Sequence, residues 1–352
     1  MFWDNFLFVL LPLCVGVSAT LLFAAFGEKI GLVDYPNHRK LHQKPTMTTG
    51  GISIFMTVLL CSLLLLRIDQ PLLVYLACGS MLVILGLLDD LTDLPAVERL
   101  VAQAVIALLM CSQAGLIIED LGNLFGFGNL HLDFWGNVLT IIAVIAAINA
   151  FNMIDGIDGL LGCTALITFS GLALLFVLSG DFVNFQFSLL FALALLPYLW
   201  ANLQIKPVWM DKIFMGDTGS MLIGFTVVWL LISGSQGSSP SFSVTTALWL
   251  ICFPLMDMVR VMLTRKLRGR SMMVADRSHL HHILTDQAIP VKHSSLLLIN
   301  VFSITSVCIG ILLEVGQIPE QFSLMLFLVG FLFYSYSIYR MAPESSVFNI
   351  EA

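Results

Sequence analysis

Between Asn149 and Leu160 the chain reads Asn-Ala-Phe-Asn-Met-Ile-Asp-Gly-Ile-Asp-Gly-Leu, which sets Asn152, Asp155 and Asp158 at three-residue spacing after an apolar run. If the stretch continues as helix, these positions share a face, and one amide and two carboxylates point the same way. Gly156 and Gly159 weaken a helix but let a backbone or ligand approach closely. Carboxylates at the end of a lipid-embedded helix are costly unless they meet protein, water, metal or substrate. A plain helix end dipping into water would carry the same residues. Recurrence of the pattern elsewhere weighs against that bland reading.

The pattern recurs at Leu85-Gly-Leu-Leu-Asp-Asp-Leu-Thr-Asp93, where Asp89 and Asp90 are adjacent at the end of an apolar segment. Two neighbouring carboxylates repel, and a divalent cation or a metal-bound phosphate relieves them. Arg99, which opens the following segment, is a candidate partner or phosphate contact. A third site is Phe214-Met-Gly-Asp-Thr-Gly-Ser220, where Gly216 and Gly219 leave Asp217 uncrowded and Thr218 starts a helix whose amides suit an anion. Gly-Asp-Thr-Gly alone is a common turn. Basic groups accompany these acids: Arg39, Lys40, His42 and Lys44 precede Gly50-Gly51, and Arg277, His279, His281 and His282 lie in Asp276-Arg-Ser-His-Leu-His-His282. The first cluster reads either as a headgroup-touching anchor or as a phosphate-binding loop ahead of a helix N-terminus. The histidines lack a fourth ligand at zinc spacing and no cysteine is near, so phosphate binding is the better reading. Asp257 and Arg260, three apart, read as a pair at a helix end rather than as catalytic groups.

The elements that must position these residues are apolar. The chain is 58% hydrophobic and 11% charged, against about 25% charged in soluble domains. Eleven segments are long enough to span: 5–26, 49–66, 71–88, 99–115, 134–151, 160–179, 185–203, 218–234, 243–263, 294–313 and 321–339. The first has no small-residue cleavage site and reads as a retained helix. Numbering the loops alternately puts fifteen of the sixteen basic residues on one side and only Arg67 on the other. That asymmetry predicts a periplasmic N-terminus and a cytoplasmic C-terminus. The expectation is therefore an all-α polytopic membrane protein of one domain, residues 1–352, with its site at the cytoplasmic face. The seven cysteines lie in apolar segments and read as small core residues.

Asp89, Asp90, Asn152, Asp155, Asp158 and Asp217 fall at segment ends on that face, together with the basic and histidine loops. A few hard oxygen ligands suit Mg²⁺, which shares its shell with substrate phosphates. Positioning, a metal and an activated oxygen are most of what phosphoryl transfer requires. The membrane setting implies a lipid as one substrate. A transporter or flippase would instead carry charges near the bilayer midplane and repeated halves, and the sequence displays neither.

These blocks, with Asn37-His-Arg-Lys-Leu-His42, Leu88-Asp-Asp90 and Pro254-Leu-Met-Asp257, resemble the polyprenyl-phosphate N-acetylhexosamine-1-phosphate transferases over nearly the whole chain. The His-x-His-His form, and the absence of the lysine that muramoyl-pentapeptide enzymes carry soon after the paired aspartates, point to the bacterial branch using UDP-N-acetylglucosamine and undecaprenyl phosphate. The resemblance implies Mg²⁺, with Mn²⁺ as a substitute, bound by Asp217 with Asn152 nearby. It implies Asp89 and Asp90 beside the lipid phosphate, and Asp155, Gly156, Ile157 and Asp158 lining a nucleotide pocket in which Phe214 stacks on uracil. Arg39, Lys40, His42, Arg277, His279, His281 and His282 would hold phosphates. It further implies the bacterial inner membrane, the start of O-antigen and enterobacterial common antigen assembly, no nucleic-acid partner, and a homodimer as the form related enzymes often take. The motifs leave the exact acetamido sugar open, and also whether an aspartate first forms a phospho-enzyme.

Overall fold

A computed structural model describes residues 2–35, 44–206, 208, 210–272, 277–286 and 294–341. In chain order the helices are α1 (Phe2–Phe26), α2 (Gly50–Leu65), α3 (Gln70–Thr92), α4 (Ala96–Leu109, continuing as one π turn to Ala114), α5 (Phe134–Met153), α6 (Leu160–Ser179), α7 (Phe182–Asn202), α8 (Gly216–Ser235), α9 (Val244–Leu250), α10 (Cys252–Leu267), α11 (Leu280–Asp286), α12 (Ser294–Val315) and α13 (Glu320–Met341). Local sequence sets several starts. Asp69 caps α3 by accepting from Leu72 N at 3.0 Å, and Asp181 caps α7 through Asn184 N at 3.1 Å.

Among the described residues, nine helices are long and apolar enough to cross a membrane, and the α9–α10 pair makes a tenth if counted as one span. All eleven expected segments fall on helix. However, α2 has sixteen residues, about 24 Å of helix, which is short of the roughly 30 Å hydrocarbon core. The segment expected at 243–263 is not one straight helix: α9 and α10 meet at 83°. Pro254 has no N–H with which to satisfy the Leu250 carbonyl one turn earlier. That carbonyl accepts from Thr168 Oγ1 at 3.0 Å instead, so the break leaves no orphan there.

The all-α expectation also misses a short ribbon. Strands β1 (Val33–Asp34) and β2 (Thr46–Met47) pair antiparallel, Val33 opposite Met47. The second strand is tied to the stretch before α8, because Phe214 N donates to Met47 O at 2.7 Å.

The helix that organises the bundle is α8, almost wholly buried and packed mainly against α5 and α3, with α2 also against it. Its lower polar end meets the ends of α3 and α5, where the carboxylates lie. Towards the other end, Tyr75 of α3 hydrogen-bonds Thr226 of α8 at 2.6 Å, surrounded by Phe187, Phe225 and Trp229.

Candidate active site

The α3 end separates the two adjacent aspartates. Asp89 is 4% exposed; its Oδ2 pairs with Arg99 Nη1 at 2.8 Å and its Oδ1 accepts from Leu94 N at 2.9 Å. Asp90 points the other way and caps α8: Oδ1 accepts from Asp217 N at 2.9 Å, and Oδ2 from Thr218 N at 3.2 Å and Thr218 Oγ1 at 2.8 Å. The repulsion expected of the pair is relieved because consecutive helical residues face different partners. The α8 amides expected to face an anion from Thr218 onward are, at Asp217 and Thr218, taken by this carboxylate. The Gly50-Gly51 amides are likewise engaged, donating to Phe214 O and Met215 O, each at 2.9 Å. Glycine stands at position 51 because a Cβ there would lie 2.2 Å from Gly219 N.

The Asn149–Leu160 stretch does not continue as helix. α5 ends at Met153, and residues 154–159 form a tight turn before α6. The three polar side chains therefore diverge rather than share a face. Asn152 Nδ2 donates to Asp217 Oδ1 and, at 2.8 Å, to Ser220 Oγ. Asp158 takes Lys212 Nζ at 2.6 Å. Asp155 is exposed, and among the described residues no side chain hydrogen-bonds it. Surrounding protein, and then the negative charges of Asp217, Asp90 and Asp158, push the Asp155 carboxyl up to about 8. Because that side chain keeps an open face, the shared negative charge is the cause that carries weight.

The histidine segment reaches this turn from the other side. Asp257 of α10 is fully buried and gathers four donors: Arg260 Nη2 at 2.9 Å, Tyr334 Oη at 2.9 Å, Leu280 N at 3.2 Å and the His279 ring at 2.7 Å. Arg260 also donates to Ser278 O at 2.6 Å. The expected Asp257–Arg260 pair is present, and it additionally anchors the start of α11. His281, 1% exposed, packs its ring so close to the turn that a Cβ on Gly156 would fall 2.0 Å from its Nε2. Burial, and then the neighbouring His282 ring, lower His281 to about 3. It is therefore a neutral imidazole at pH 7.

Of the sequence-predicted residues, the structure brings together Asp90, Asn152, Asp155, Asp158, Asp217, Phe214, Gly156 and His281. Asp89 lies beside them, turned towards Arg99. His279 is turned to Asp257. Ile157 is half-buried against the apolar core, Arg277 is exposed, and His282 packs on His281 with ring centroids 4.2 Å apart. Arg39, Lys40 and His42 lie outside the described residues. Sequence reasoning missed Lys212, whose ammonium also sits 4.7 Å over the Phe214 ring. It missed Asn202 as well, which accepts from Gly159 N at 2.6 Å and donates to Ile213 O at 2.7 Å, tying the turn to the loop before α8. Lys212 lies two residues from Phe214 and could have been found. Nothing local marks Asn202.

Among the described residues no three carboxylate or histidine side chains converge closely enough to form a ready cation cage. Asp155 has no side-chain hydrogen-bond partner among them, Asp217 has one oxygen held by Asn152, and Asp90, Asp155, Asp158 and Asp217 supply the hard oxygen chemistry a divalent cation takes. Asn152 is turned with its nitrogen to Asp217, so it orients that carboxylate.

A sequence profile described as glycosyl transferase family 4 matches residues 72–235, the part of the chain that holds the carboxylate ends. An undecaprenyl-phosphate α-N-acetylglucosaminyl 1-phosphate transferase of Yersinia pestis is 40% identical over 92% of this chain and 89% of its own length. Relatives of the same name from Salmonella typhi and Escherichia coli K12 are 42% and 38% identical over 89% and 91% of this chain, and over 85% and 88% of their own lengths. The transferase residues read from the sequence, the carboxylate-rich helix ends and these likenesses along nearly the whole chain agree: the chain belongs to glycosyl transferase family 4, among the polyprenyl-phosphate N-acetylhexosamine-1-phosphate transferases.

Proposed function

We propose that this chain transfers N-acetylglucosamine-1-phosphate from UDP-N-acetylglucosamine to undecaprenyl phosphate. A lipid-phosphate oxygen forms a bond to the sugar-bound phosphorus as the bridging P–O bond breaks. UMP leaves, and undecaprenyl-diphosphate-N-acetylglucosamine remains. The observation that carries this reading is the meeting of Asp90, Asn152, Asp155, Asp158 and Asp217 at one end of the bundle. The relatives named for that reaction support the choice of substrates.

Mg²⁺, or Mn²⁺ in its place, would be held at Asp217 and Asp155 and would neutralise charge on the diphosphate. Asn152 keeps Asp217 in orientation. Asp90 stands beside the lipid phosphate and orients it through the capped start of α8, with Asp89 and Arg99 fixing the end of α3. Asp158 and Phe214 line the nucleotide side. His281 meets phosphate as a neutral donor. We read eleven crossings, an outside N-terminus and a cytoplasmic site from the apolar segments and the basic-residue asymmetry, and the family resemblance supports the bacterial inner membrane as the setting. The reaction is then the first membrane step of O-antigen and enterobacterial common antigen synthesis.

The test is UMP release by purified protein with undecaprenyl phosphate, Mg²⁺ and a panel of UDP-sugars. Release confined to UDP-N-acetylglucosamine and lost on chelation is the expected result. Release with another acetamido sugar alone would reassign the donor, and no release by folded protein would remove the reading.

A further inference from the structure

At the end of the bundle opposite the carboxylates, the last turns of α2, α4 and α8 and the first turns of α3 and α7 enclose a cavity of about 230 Å³. Its floor is aromatic. The Tyr75 ring packs on Phe187 and Trp229 with centroids 4.7 and 5.3 Å away, and its hydroxyl is taken by Thr226 at 2.6 Å. The rim carries two opposite charges two residues apart, Arg67 and Asp69. They do not pair with each other. Asp69 gives Oδ1 to Leu72 N at 3.0 Å as the cap of α3. Among the described residues nothing donates to its second oxygen, and the exposed Arg67 guanidinium meets no acceptor.

The depth of these charges limits what can satisfy them. α2 starts beside the carboxylates at Gly50 and has sixteen residues, about 24 Å of helix, against a hydrocarbon core of roughly 30 Å. Arg67, two residues further on, therefore comes level with lipid headgroups instead of clearing them into water. A charge at that depth is costly unless an opposite one meets it. The size of the cavity narrows the ligand further. It exceeds the roughly 150 Å³ of apolar space that takes one benzene ring, and falls short of the roughly 300 Å³ at which pockets for drug-sized ligands begin. It has room for the start of one acyl chain. A molecule with such a chain, and with one negative and one positive group at its head, matches floor and rim together.

We propose that this cavity binds a zwitterionic aminophospholipid of the bilayer, of the phosphatidylethanolamine kind. Its phosphate meets Arg67, its primary ammonium meets the second oxygen of Asp69, and the start of one chain lies on Tyr75, Phe187 and Trp229. A lipid with negative charge alone satisfies Arg67 but sets like charge against Asp69. The site lies apart from the carboxylates and does not depend on the transferase reading. On the topology proposed above it faces the outer leaflet.

The experiment titrates the full chain, stripped of lipid in detergent, with dioleoyl phosphatidylethanolamine, dioleoyl phosphatidylglycerol or inorganic phosphate, and reads bound lipid by native mass spectrometry. Wild type should bind phosphatidylethanolamine at least about threefold more tightly than phosphatidylglycerol, and inorganic phosphate should not displace it. Arg67→Met, which keeps the apolar stem and loses the charge, should weaken both lipids about tenfold. Asp69→Asn keeps the α3 cap, since Asn serves that position as well as Asp. It should erase the preference while phosphatidylglycerol binds no more weakly than before. Equal binding of the two lipids by wild type would overturn the proposal, and so would a preference that survives Asp69→Asn or wild-type affinity in Arg67→Met. Displacement by phosphate alone would overturn it in favour of a free-anion site. Should Arg67→Met not fold, Arg67→Gln against Arg67→Lys carries the same comparison, with lysine retaining most of the binding.

Discussion

Replacing Asp257 by Asn tests what orients the histidine segment. The carboxylate is fully buried and receives donors from Arg260, Tyr334, Leu280 N and His279, all within 3.2 Å. Asn keeps the shape but loses the charge, leaving the Arg260 guanidinium buried without its counter-ion. Losing one partner of a buried ion pair costs about 3–5 kcal/mol. For a chain of this size that is a fall in melting temperature of roughly 4–7 °C. Tyr334→Phe removes one hydrogen bond to a charged acceptor and should cost about 1.5–3 kcal/mol. Thermal melting of detergent-purified variants reads both. Because the harm in Asp257→Asn is the stranded guanidinium, adding Arg260→Met should recover part of the loss, and the two changes should not add. Asp257→Asn melting with wild type, or strict additivity with Arg260→Met, would refute the account of this cluster.

Asp217→Asn should abolish UMP release in protein that melts like wild type, because a cation held at this carboxylate needs its charge; near-normal turnover would take Asp217 out of the site. Gly156→Ala drives a Cβ to 2.0 Å from His281 Nε2, and the displaced ring should lower activity on the order of a hundredfold, checked by steady-state kinetics. Asn202→Ala leaves Gly159 N and Ile213 O without their partners and should cost about 2–4 kcal/mol in thermal melts. Raising the Asp155 carboxyl to about 8 means the folded chain holds this proton more tightly than the unfolded one. Its contribution is full below the ordinary carboxylate range and is lost as pH rises towards about 8. Cation-free melting temperature should therefore fall over that window in wild type, and Asp155→Asn should flatten the slope.

The helices were legible because a lipid-facing helix writes itself as an unbroken apolar run, and all eleven runs fall on helix. Asp90, Asn152 and Asp217 were legible as polar residues that such a run cannot tolerate without purpose. What the sequence concealed was tertiary. Asp89 and Asp90 looked mutually repulsive, and only the packing of α8 against α3 reveals that they face Leu94 and Arg99 on one side and a helix N-terminus on the other. The amides at Gly50-Gly51 looked available because their acceptors, Phe214 O and Met215 O, are more than 160 residues away. The break between α9 and α10 was readable from Pro254 in principle. Its satisfaction by Thr168 was not, and a tight turn at 154–159 was masked by three-residue spacing that fits a helix equally well.

The central claim is that phosphorus, not sugar alone, moves to the lipid. Supplying UDP-N-acetylglucosamine labelled in the sugar-bound phosphate, with undecaprenyl phosphate and Mg²⁺, separates the two chemistries in one extraction. The account predicts label in the organic phase, with unlabelled UMP in water. Label remaining in water as UDP while the sugar enters the lipid would contradict it.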